Sequence, residues 1–350
     1  MNQGTAMPQV SVVLPVYNGE AYLAQALDSI LAQSFADFEL IAFDDGSTDG
    51  SLRLLRDYEA RDRRVRVFTR ENRGLVATLN ESIDLARGAW IARMDQDDIA
   101  LPHRFERQLE WLGQTSADIC GSWVRRFGMA DRRTVKLRES DAAIRMEMMF
   151  RSPFAHPSVM MRTALAKGLR YDPACETAED YDLWERAAEA GWKMTNVQEV
   201  LLSYRVHAAQ ISTSSSVRQQ QVEDGIRRRY WHFVCRSLQP QRIDDVLKIF
   251  GPAAAAIDMD AVDEVFAMLL RQSRGEAREA VCGHVNRLYL MVAAVCPDIV
   301  ARWNALHREF GCGAGALARG RLRLFRLLRI SPDGSLFRLL KRLYAWRSLR

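Results

Sequence analysis

The chain has 350 residues, of which 48% are hydrophobic and 27% charged, with a formal net charge of +5. Its length predicts two domains and its composition is that of a soluble globular protein; no apolar run approaches the roughly 18 residues of a membrane span, and residues 1–8 lack a basic-then-apolar signal pattern. The charge is uneven: residues 319–350 hold ten Arg or Lys and one Asp, while the other 318 residues hold 39 basic and 43 acidic groups. A mildly acidic body with a basic tail argues against a nucleic-acid binder. Six scattered cysteines with no Cys-x-x-Cys pair predict reduced thiols and a cytoplasmic location.

In chain order, Val10 to Val16 is an apolar run long enough for a buried strand. Tyr17-Asn18-Gly19 is a turn, with Asn18 as a candidate N-cap for a helix reaching about Gln33. Phe38 to Phe43 is a second strand. Asp44-Asp-Gly-Ser-Thr-Asp49 follows, with Ser47, Thr48 or Asp49 to cap the next helix. Val65 to Phe68 is a third strand, and Asn72-Arg73-Gly74 turns into a helix that Gly88 ends. Ala89 to Ala92 is a fourth strand. It leads into Asp95-Gln-Asp-Asp98, and Pro102 can open the following helix, which runs to Gly113. Strand and helix alternate four times within about 90 residues, which implies a parallel sheet with helices on its faces.

Ligands of such sheets sit outside the carboxyl ends of the strands. Three of those ends carry Tyr17-Asn18, Asp44-Asp45 and Asp95 to Asp98. Tyr17 suits stacking on a base, and Asp45 suits hydrogen bonds from a base or ribose. Carboxylates at i and i+2 on extended backbone point the same way, so Asp95 and Asp97 can reach one cation. A hard divalent ion, Mg²⁺ or Mn²⁺, takes such oxygen ligands and keeps positions open for phosphates. There is no Gly-x-Gly-x-x-Gly after the first strand and no P-loop motif, so neither a dinucleotide fold nor a P-loop enzyme is supported.

Val10 to Asn18, Asp44 to Asp49, Asn72 to Gly74, and Asp95 to Asp98 with Pro102 resemble, in order and spacing, the donor half of family-2 glycosyltransferases of the GT-A fold. The resemblance implies an α/β fold, a mostly parallel sheet flanked by helices, and here a helical C-terminal region. It implies a nucleotide-diphosphate sugar donor, most simply a UDP-sugar, with Mg²⁺ or Mn²⁺ and inversion at the sugar carbon. Tyr17 then lies near the base and Asp45 contacts it; Asp97 binds the metal, with Asp95 near ribose or metal.

The second half supplies the acceptor site. Asp118 to Val124 reads as a strand, residues 125–138 as a polar hairpin or loop, and Val159 to Met161 as a short apolar run. Ala178 to Gly191 reads as a helix with Glu179 and Asp180 in its first turn, where acidic groups favour the helix dipole. These two also resemble the family's Glu-Asp motif, which makes Asp180 the general base with Glu179 beside it. His156 is a candidate acceptor contact. Ser203 to His207 follows a strand at Val200 to Leu202 and resembles the segment that closes over the donor diphosphate. Arg205 is a candidate for phosphate contact and His207 for metal ligation. The resemblance covers residues 9–212.

The expected organisation is a GT-A domain over 1–212 (donor half 9–113, acceptor half 114–212), a helical region over 217–312, and a basic amphipathic tail over 313–350. Residues 212–216 read as a linker. A helix from Leu336 to Trp346 would carry Leu and Tyr on one face and Arg and Lys on the other, which suits an anionic membrane surface. The expected activity is glycosyl transfer to a saccharide or lipid-linked saccharide at the inner face of the cytoplasmic membrane, in cell-surface polysaccharide or lipopolysaccharide synthesis. Two alternatives stand beside it. A sugar-1-phosphate nucleotidyltransferase would show a Gly-rich basic loop after the first strand. A catalytically silent membrane-surface protein would not need Asp95, Asp97 and Asp180.

Overall fold

The computed structural model describes residues 7–129, 132–207, 217–250, 257–312 and 316–328. It divides into two compact units, residues 1–226 and 227–350. The first begins with four parallel-sheet repeats: β1 (Val10–Val16), α1 (Leu23–Leu31), β2 (Phe38–Asp44), α2 (Ser51–Arg61), β3 (Val65–Thr69), α3 (Leu75–Leu85) and β4 (Trp90–Arg93). The short β5 (Ile99–Ala100) and α4 (Arg104–Thr115) follow. The acceptor half comprises β6 (Ile119–Gly128), β7 (Thr134–Val135), α5 (Asp141–Met148), β8 (Met160–Arg162), α6 (Thr163–Leu169), α7 (Glu179–Glu189) and β9 (Met194–Val206).

One nine-stranded sheet runs β3-β2-β1-β4-β8-β6-β9-β5, with β7 paired to β6. The pairs β1·β2, β1·β4, β2·β3 and β6·β9 are parallel. Pairs β4·β8 and β6·β8 are antiparallel, so β8 joins the two halves of the sheet. All seven residues of β1 are buried, as expected of a parallel strand covered on both faces. Val16 accepts from Asp45 on the β2 side and Val13 accepts from Met94 on the β4 side. Odd-numbered residues of β1 therefore face β4. Pro15 lies beyond Val13, the last residue paired with β4, so its missing N–H removes no ladder bond.

The core under α1 and α4 is built from alternate residues: Val10, Val12, Leu14 and Val16 of β1, Leu40 and Ala42 of β2, and Leu23, Leu27 and Ile30 of α1. Each such aliphatic side chain contributes about 1.5–3 kcal/mol on burial. The opposite amino-terminal edge is tied by a buried polar cluster. Ser11 Oγ donates to Glu39 at 2.7 Å, and Arg66 and Arg87 pair with the same carboxylate. Burial alone would raise the Glu39 pKa, but the bonds from Arg87, Ser11 and Arg66 outweigh it and hold it below the ordinary value.

Several expectations shift. Asn18 does not cap α1: its backbone is left-handed (φ 49°), its Oδ1 accepts from Thr48 N–H at 2.8 Å, and Tyr22 takes the cap position. Helix α2 starts after Gly50 rather than on a capping side chain, although Asp49 Oδ1 accepts from Ser51 N–H at 3.0 Å. Pro102 precedes α4 by two residues, and its carbonyl accepts from Ser34 N–H at 2.8 Å. The strand at Val200 to Leu202 is the middle of the 13-residue β9, which runs on through Ser203 to Val206. Helices α5 and α6 and strand β5 escaped the sequence pattern because each is short and supported by tertiary pairing rather than by its own periodicity. The linker expected at residues 212–216 lies outside the described residues.

The second unit is helical: after α8 (Val217–Val234), within which the division falls, come α9 (Pro240–Leu247), α10 (Met259–Gln272), α11 (Gly275–Val292), α12 (Ile299–Phe310) and α13 (Ala316–Leu327). Pro240 opens α9, and Asp258 caps α10 by accepting from Asp260 and Ala261 N–H. Trp231 and Phe266 meet edge to face in its core. Cys282 and Cys312 form a disulfide, while Cys120, Cys175, Cys235 and Cys296 are buried and outside any disulfide. The expectation of six reduced thiols therefore fails for one pair, which the fold brings together across 30 residues of sequence. Helix α13 buries Leu322 and Phe325 and leaves Leu324 and Leu327 exposed, as is Leu328 just after it. The amphipathic segment Leu336 to Trp346 lies outside the described residues.

Candidate active site

The carboxyl ends of β1 and β2 are laced together. Asn18 N–H donates to Ser47 Oγ at 3.0 Å, Gly19 N–H to Ser51 Oγ at 2.8 Å, and Gly50 N–H to Glu20 at 2.9 Å. Asp44 is buried, taking Thr69 Oγ1 at 2.8 Å and Ser47 N–H at 3.3 Å. Asp45, also buried, accepts from the backbone N–H groups of Arg73 and Gly74, each at 2.9 Å, and pairs with Arg70. It thus anchors the Asn72–Gly74 loop at the start of α3. Gly46 (φ 74°) closes against that loop, where a Cβ would meet Asn72 N at 2.7 Å. Tyr17, by contrast, is 48% exposed at the carboxyl end of β1.

The acidic turn follows β4, which ends at Arg93, so Asp95 to Asp98 are off the strand. Strand alternation is therefore not what brings the carboxylates together. The turn does so, and it recruits a third: one oxygen from each of Asp95, Asp97 and Asp98 lies within 4.8 Å of the others. Asp98 is fully buried. Its Oδ1 accepts from Arg205 N–H at 2.8 Å, and its Oδ2 has no hydrogen-bond partner among the described residues. Burial raises the Asp98 pKa well above the usual carboxylate range, and the charges of Asp95 and Asp97 add to it. Burial also raises Asp95, against the pull of Arg93.

His207 Nε2 sits 2.8 Å from Asp97 Oδ2, which brings the end of β9 to the acidic turn. Arg205 is held there too. Its Nε donates to the Asp97 carbonyl at 2.7 Å and its Nη2 to Gln25 at 2.6 Å, with the guanidinium over the rings of Tyr22 and Phe127. In this arrangement Arg205 braces the turn.

A buried carboxylate oxygen with nothing to accept from costs stability unless a cation or donor completes it. Three carboxylates whose oxygens lie this close suit a hard, oxygen-seeking divalent ion. The residues present therefore fit Mg²⁺ or Mn²⁺.

On the acceptor side, Glu179 and Asp180 open α7, with Leu183, Trp184 and Ala187 buried beneath. The entry is strained: Thr177 has φ 84°, costly for a β-branched residue. Its backbone hydrogen-bonds the Glu179 carboxylate. Burial, then the charge of Asp180, raises Glu179 to about 7. Burial also raises Asp180, although the backbone of Tyr181 and Ser152 Oγ, at 3.2 Å, hydrogen-bond it. His156 Nε2 is 2.7 Å from Tyr171 Oη, and its ring stands edge-on to Trp184. Burial pushes His156 well below its ordinary value and so keeps it neutral.

Sequence reasoning missed four residues. Gln96 binds the Tyr17 backbone through both ends of its amide. Asp98 is the third carboxylate. Tyr171 ties His156 to α3, since its backbone exchanges two 2.9 Å bonds with the Asn80 side chain. Arg93 is a 3% exposed cation paired with Asp95. Only Asp98 left a signal, as one of three closely spaced acids. The others depend on which strand lies beside which.

Fold and site together define a transferase of GT-A architecture, with a parallel donor half, an acidic turn after the fourth strand and an acidic helix start in the acceptor half. The sequence model described as Glycosyl transferase family 2 matches residues 11–172. Putative glycosyltransferase EpsE of Bacillus subtilis (strain 168) is 36% identical over 211 residues, covering 59% of this chain and 74% of that protein. O-antigen biosynthesis glycosyltransferase WbnJ of Escherichia coli is 31% identical over 205 residues, covering 57% and 81%. The chain belongs to glycosyltransferase family 2. Among solved structures, S. aureus TarS 1–349 in complex with UDP-GlcNAc aligns at TM-score 0.56 and 16% identity, over 91% of this chain and 92% of that one. Mannosyltransferase PcManGT from Pyrobaculum calidifontis, in complex with GDP-Man and Mn²⁺, aligns at 0.51 and 15% identity, over 98% and 85%. At these identities the likeness is one of fold.

Proposed function

We propose that the chain transfers a sugar from a nucleotide-diphosphate sugar to the hydroxyl of a saccharide or lipid-linked saccharide, with inversion. The observation that carries this is the cluster of Asp95, Asp97 and Asp98, in which the buried Asp98 Oδ2 has no hydrogen-bond partner among the described residues. Tyr17 stacks on the base. Asp45 shapes the base pocket by holding the Asn72–Gly74 loop. Asp97, with Asp95 and Asp98, holds Mg²⁺ or Mn²⁺, and His207 orients Asp97 or joins it as a ligand. The bound ion supplies charge neutralisation of the leaving diphosphate.

Asp180 takes the proton of the acceptor hydroxyl as that oxygen forms its bond to the anomeric carbon. The bond from that carbon to the diphosphate oxygen breaks, and the nucleoside diphosphate leaves. This single displacement needs no covalent nucleophile. Its base typically contributes about 10²–10⁴-fold. Glu179 and His156 border the acceptor.

The name of WbnJ supports a role in cell-surface polysaccharide synthesis, and the UDP-GlcNAc and GDP-Man of the two structural neighbours support a nucleotide-sugar donor. The basic tail supports an acceptor at an anionic membrane surface. A panel of UDP-, GDP- and dTDP-sugars with Mn²⁺ tests the reading. Release of nucleoside diphosphate and an inverted anomeric product are expected; retention of configuration, or full activity in a chelator, overturns the mechanism.

A further inference from the structure

The hairpin of β6 and β7 concentrates positive charge to which the expected chemistry gives no task. Residues 125–138 hold six Arg or Lys and one Asp, within a body that is otherwise mildly acidic. Elsewhere in the first unit Arg64, Arg66, Arg145 and Arg170 each meet a carboxylate, from Asp62, Glu39, Asp141 and Asp84 respectively. In the hairpin, Arg125, Arg132 and Lys136 are exposed, and no carboxylate among the described residues pairs with them. Like charges gathered in this way repel one another, and a bound anion relieves the repulsion.

Strand β6 sets where this charge stands. Cys120 and Val124 belong to the buried core, so Gly121, Trp123, Arg125 and Phe127 take the opposite face of the strand. One end of that row meets the acceptor half. A Cβ on Gly121 would touch Phe154 at 2.8 Å, and the Phe154 ring stands edge-on to Trp184 of α7 with 5.2 Å between centroids. The other end meets the acidic turn. Phe127 pairs with Arg205 across β6·β9, the Arg205 guanidinium lies 4.5 Å from the Phe127 ring, and Arg205 Nε donates to the Asp97 carbonyl at 2.7 Å. Arg125 stands between the two ends, about 7 Å along the strand from Phe127. Lys136, just after β7, places its Nζ 4.8 Å from the Trp123 ring, and Trp123 Nε1 fastens that arm by donating to Leu137 O at 3.0 Å. Aromatic rings and cations thus share one row that leads to the acidic turn.

We propose that this row binds an acceptor that carries phosphate beside the sugar being extended, with Arg125, Arg132 and Lys136 taking the phosphate oxygens. The proposal rests on the reading that the acceptor half receives a saccharide. Guanidinium groups present paired N–H donors that match phosphate oxygens, and several cations together suit a multiply charged phosphate better than a single carboxylate. A saccharide joined to a lipid through a diphosphate has this chemistry. An anionic phospholipid headgroup shares it, and the acceptor is the source we assign.

The probe is geranyl diphosphate, titrated by calorimetry into the full chain in EDTA. Without an ion the acidic turn repels a diphosphate, so the titration reads the hairpin. The parent should bind, more weakly as salt is raised, and geraniol should not bind. Arg125→Gln combined with Arg132→Gln and Lys136→Gln should weaken binding at least about tenfold, the scale of one lost hydrogen bond to a charged group. The melting temperature and the affinity for nucleoside diphosphate in Mn²⁺ should stay parental. Arg125→Lys with Arg132→Lys, which keeps the charge, should bind more tightly than the glutamine variant. Equal affinity of parent and glutamine variant, or equal binding of geraniol, overturns the proposal. A matching loss of nucleoside diphosphate affinity also overturns it, because the hairpin then serves the donor. Phosphatidylglycerol vesicles separate the two phosphate sources: if the glutamine variant leaves the vesicles but binds geranyl diphosphate like the parent, the headgroup is the ligand and the acceptor assignment fails. If no nucleotide sugar of the panel is turned over with any saccharide, the transferase reading fails, whatever the hairpin binds.

Discussion

The side-chain amide of Gln96 clasps the backbone of Tyr17: its Oε1 accepts from Tyr17 N–H at 2.9 Å and its Nε2 donates to Tyr17 O at 3.0 Å. Residues 79 apart in sequence are thereby fixed in one geometry. The middle residue of Asp95-Gln-Asp97 thus fixes the backbone that carries the exposed Tyr17 ring. A Cβ on Gly19 would strike the same amide, at 2.4 Å, so the turn after β1 is shaped to admit it.

Gln96→Glu keeps the size of the side chain but places a carboxylate against the Tyr17 carbonyl. One hydrogen bond, worth about 0.5–1.5 kcal/mol, is lost and a repulsion is added. Nucleotide affinity in Mn²⁺, measured by calorimetry, should fall roughly tenfold, with the melting temperature nearly unchanged. Unaltered affinity would remove Tyr17 from the base site.

Asp97→Asn should abolish metal-dependent nucleotide binding and reduce transfer by at least about 10²-fold. In the parent, Mn²⁺ with nucleotide at 100 times its Kd should stabilise the fold by about 2.7 kcal/mol, and EDTA should remove that gain. The variant should melt at the same temperature with and without the ligands. A ligand-induced shift equal to the parent's would place the metal elsewhere.

Glu179 offers a pH test of stability. Burial, then the charge of Asp180, raises its carboxyl from the ordinary value of 4.5 to about 7, so between those values the folded state holds more protons than the unfolded state. Stability then falls as pH rises through that window, by an amount on the order of 3 kcal/mol for an independently titrating group. Glu179→Gln removes the group. It should match the parent's denaturation midpoint at pH 4 and exceed it at pH 8. Equal midpoints at both would show that Glu179 is not desolvated.

Helix α13 sets where the basic tail can be cut. Deletion from Gly320 would remove Leu322 and Phe325 from the core of the helical unit. Deletion of residues 329–350 removes six basic residues and one acidic residue and leaves α13 whole. At about 1 kcal/mol per basic residue near an anionic surface, several kcal/mol of attraction go with it. The full chain should float with phosphatidylserine-containing vesicles at low salt and detach at high salt, and the truncated chain should remain in the soluble fraction with donor binding intact. A full chain that stays soluble would withdraw the membrane-bound acceptor.

The alternation of buried runs and amphipathic helices from Val10 to Arg93 is written in local periodicity, because a parallel strand covered on both faces must be apolar throughout and its crossover helix must be apolar on one side. The sequence by itself therefore determined the donor half of the sheet, the residues that stand at three of its strand ends, and the acidic start of α7 with its buried Leu183 and Trp184. Short elements such as β5, α5 and α6 left no such pattern, since they are stabilised by neighbours distant in the chain. The gathering of Asp95, Asp97 and Asp98, the bracing of that turn by Arg205 and His207, the disulfide of Cys282 with Cys312 and the burial of Arg93 were decided by the tertiary structure alone. The physical reason is desolvation: a charged residue in a sequence reads as surface, and only the pairing of β8 with β4 and the donation of the buried Arg104 to the Arg93 carbonyl turn Arg93 into a buried counterion of Asp95.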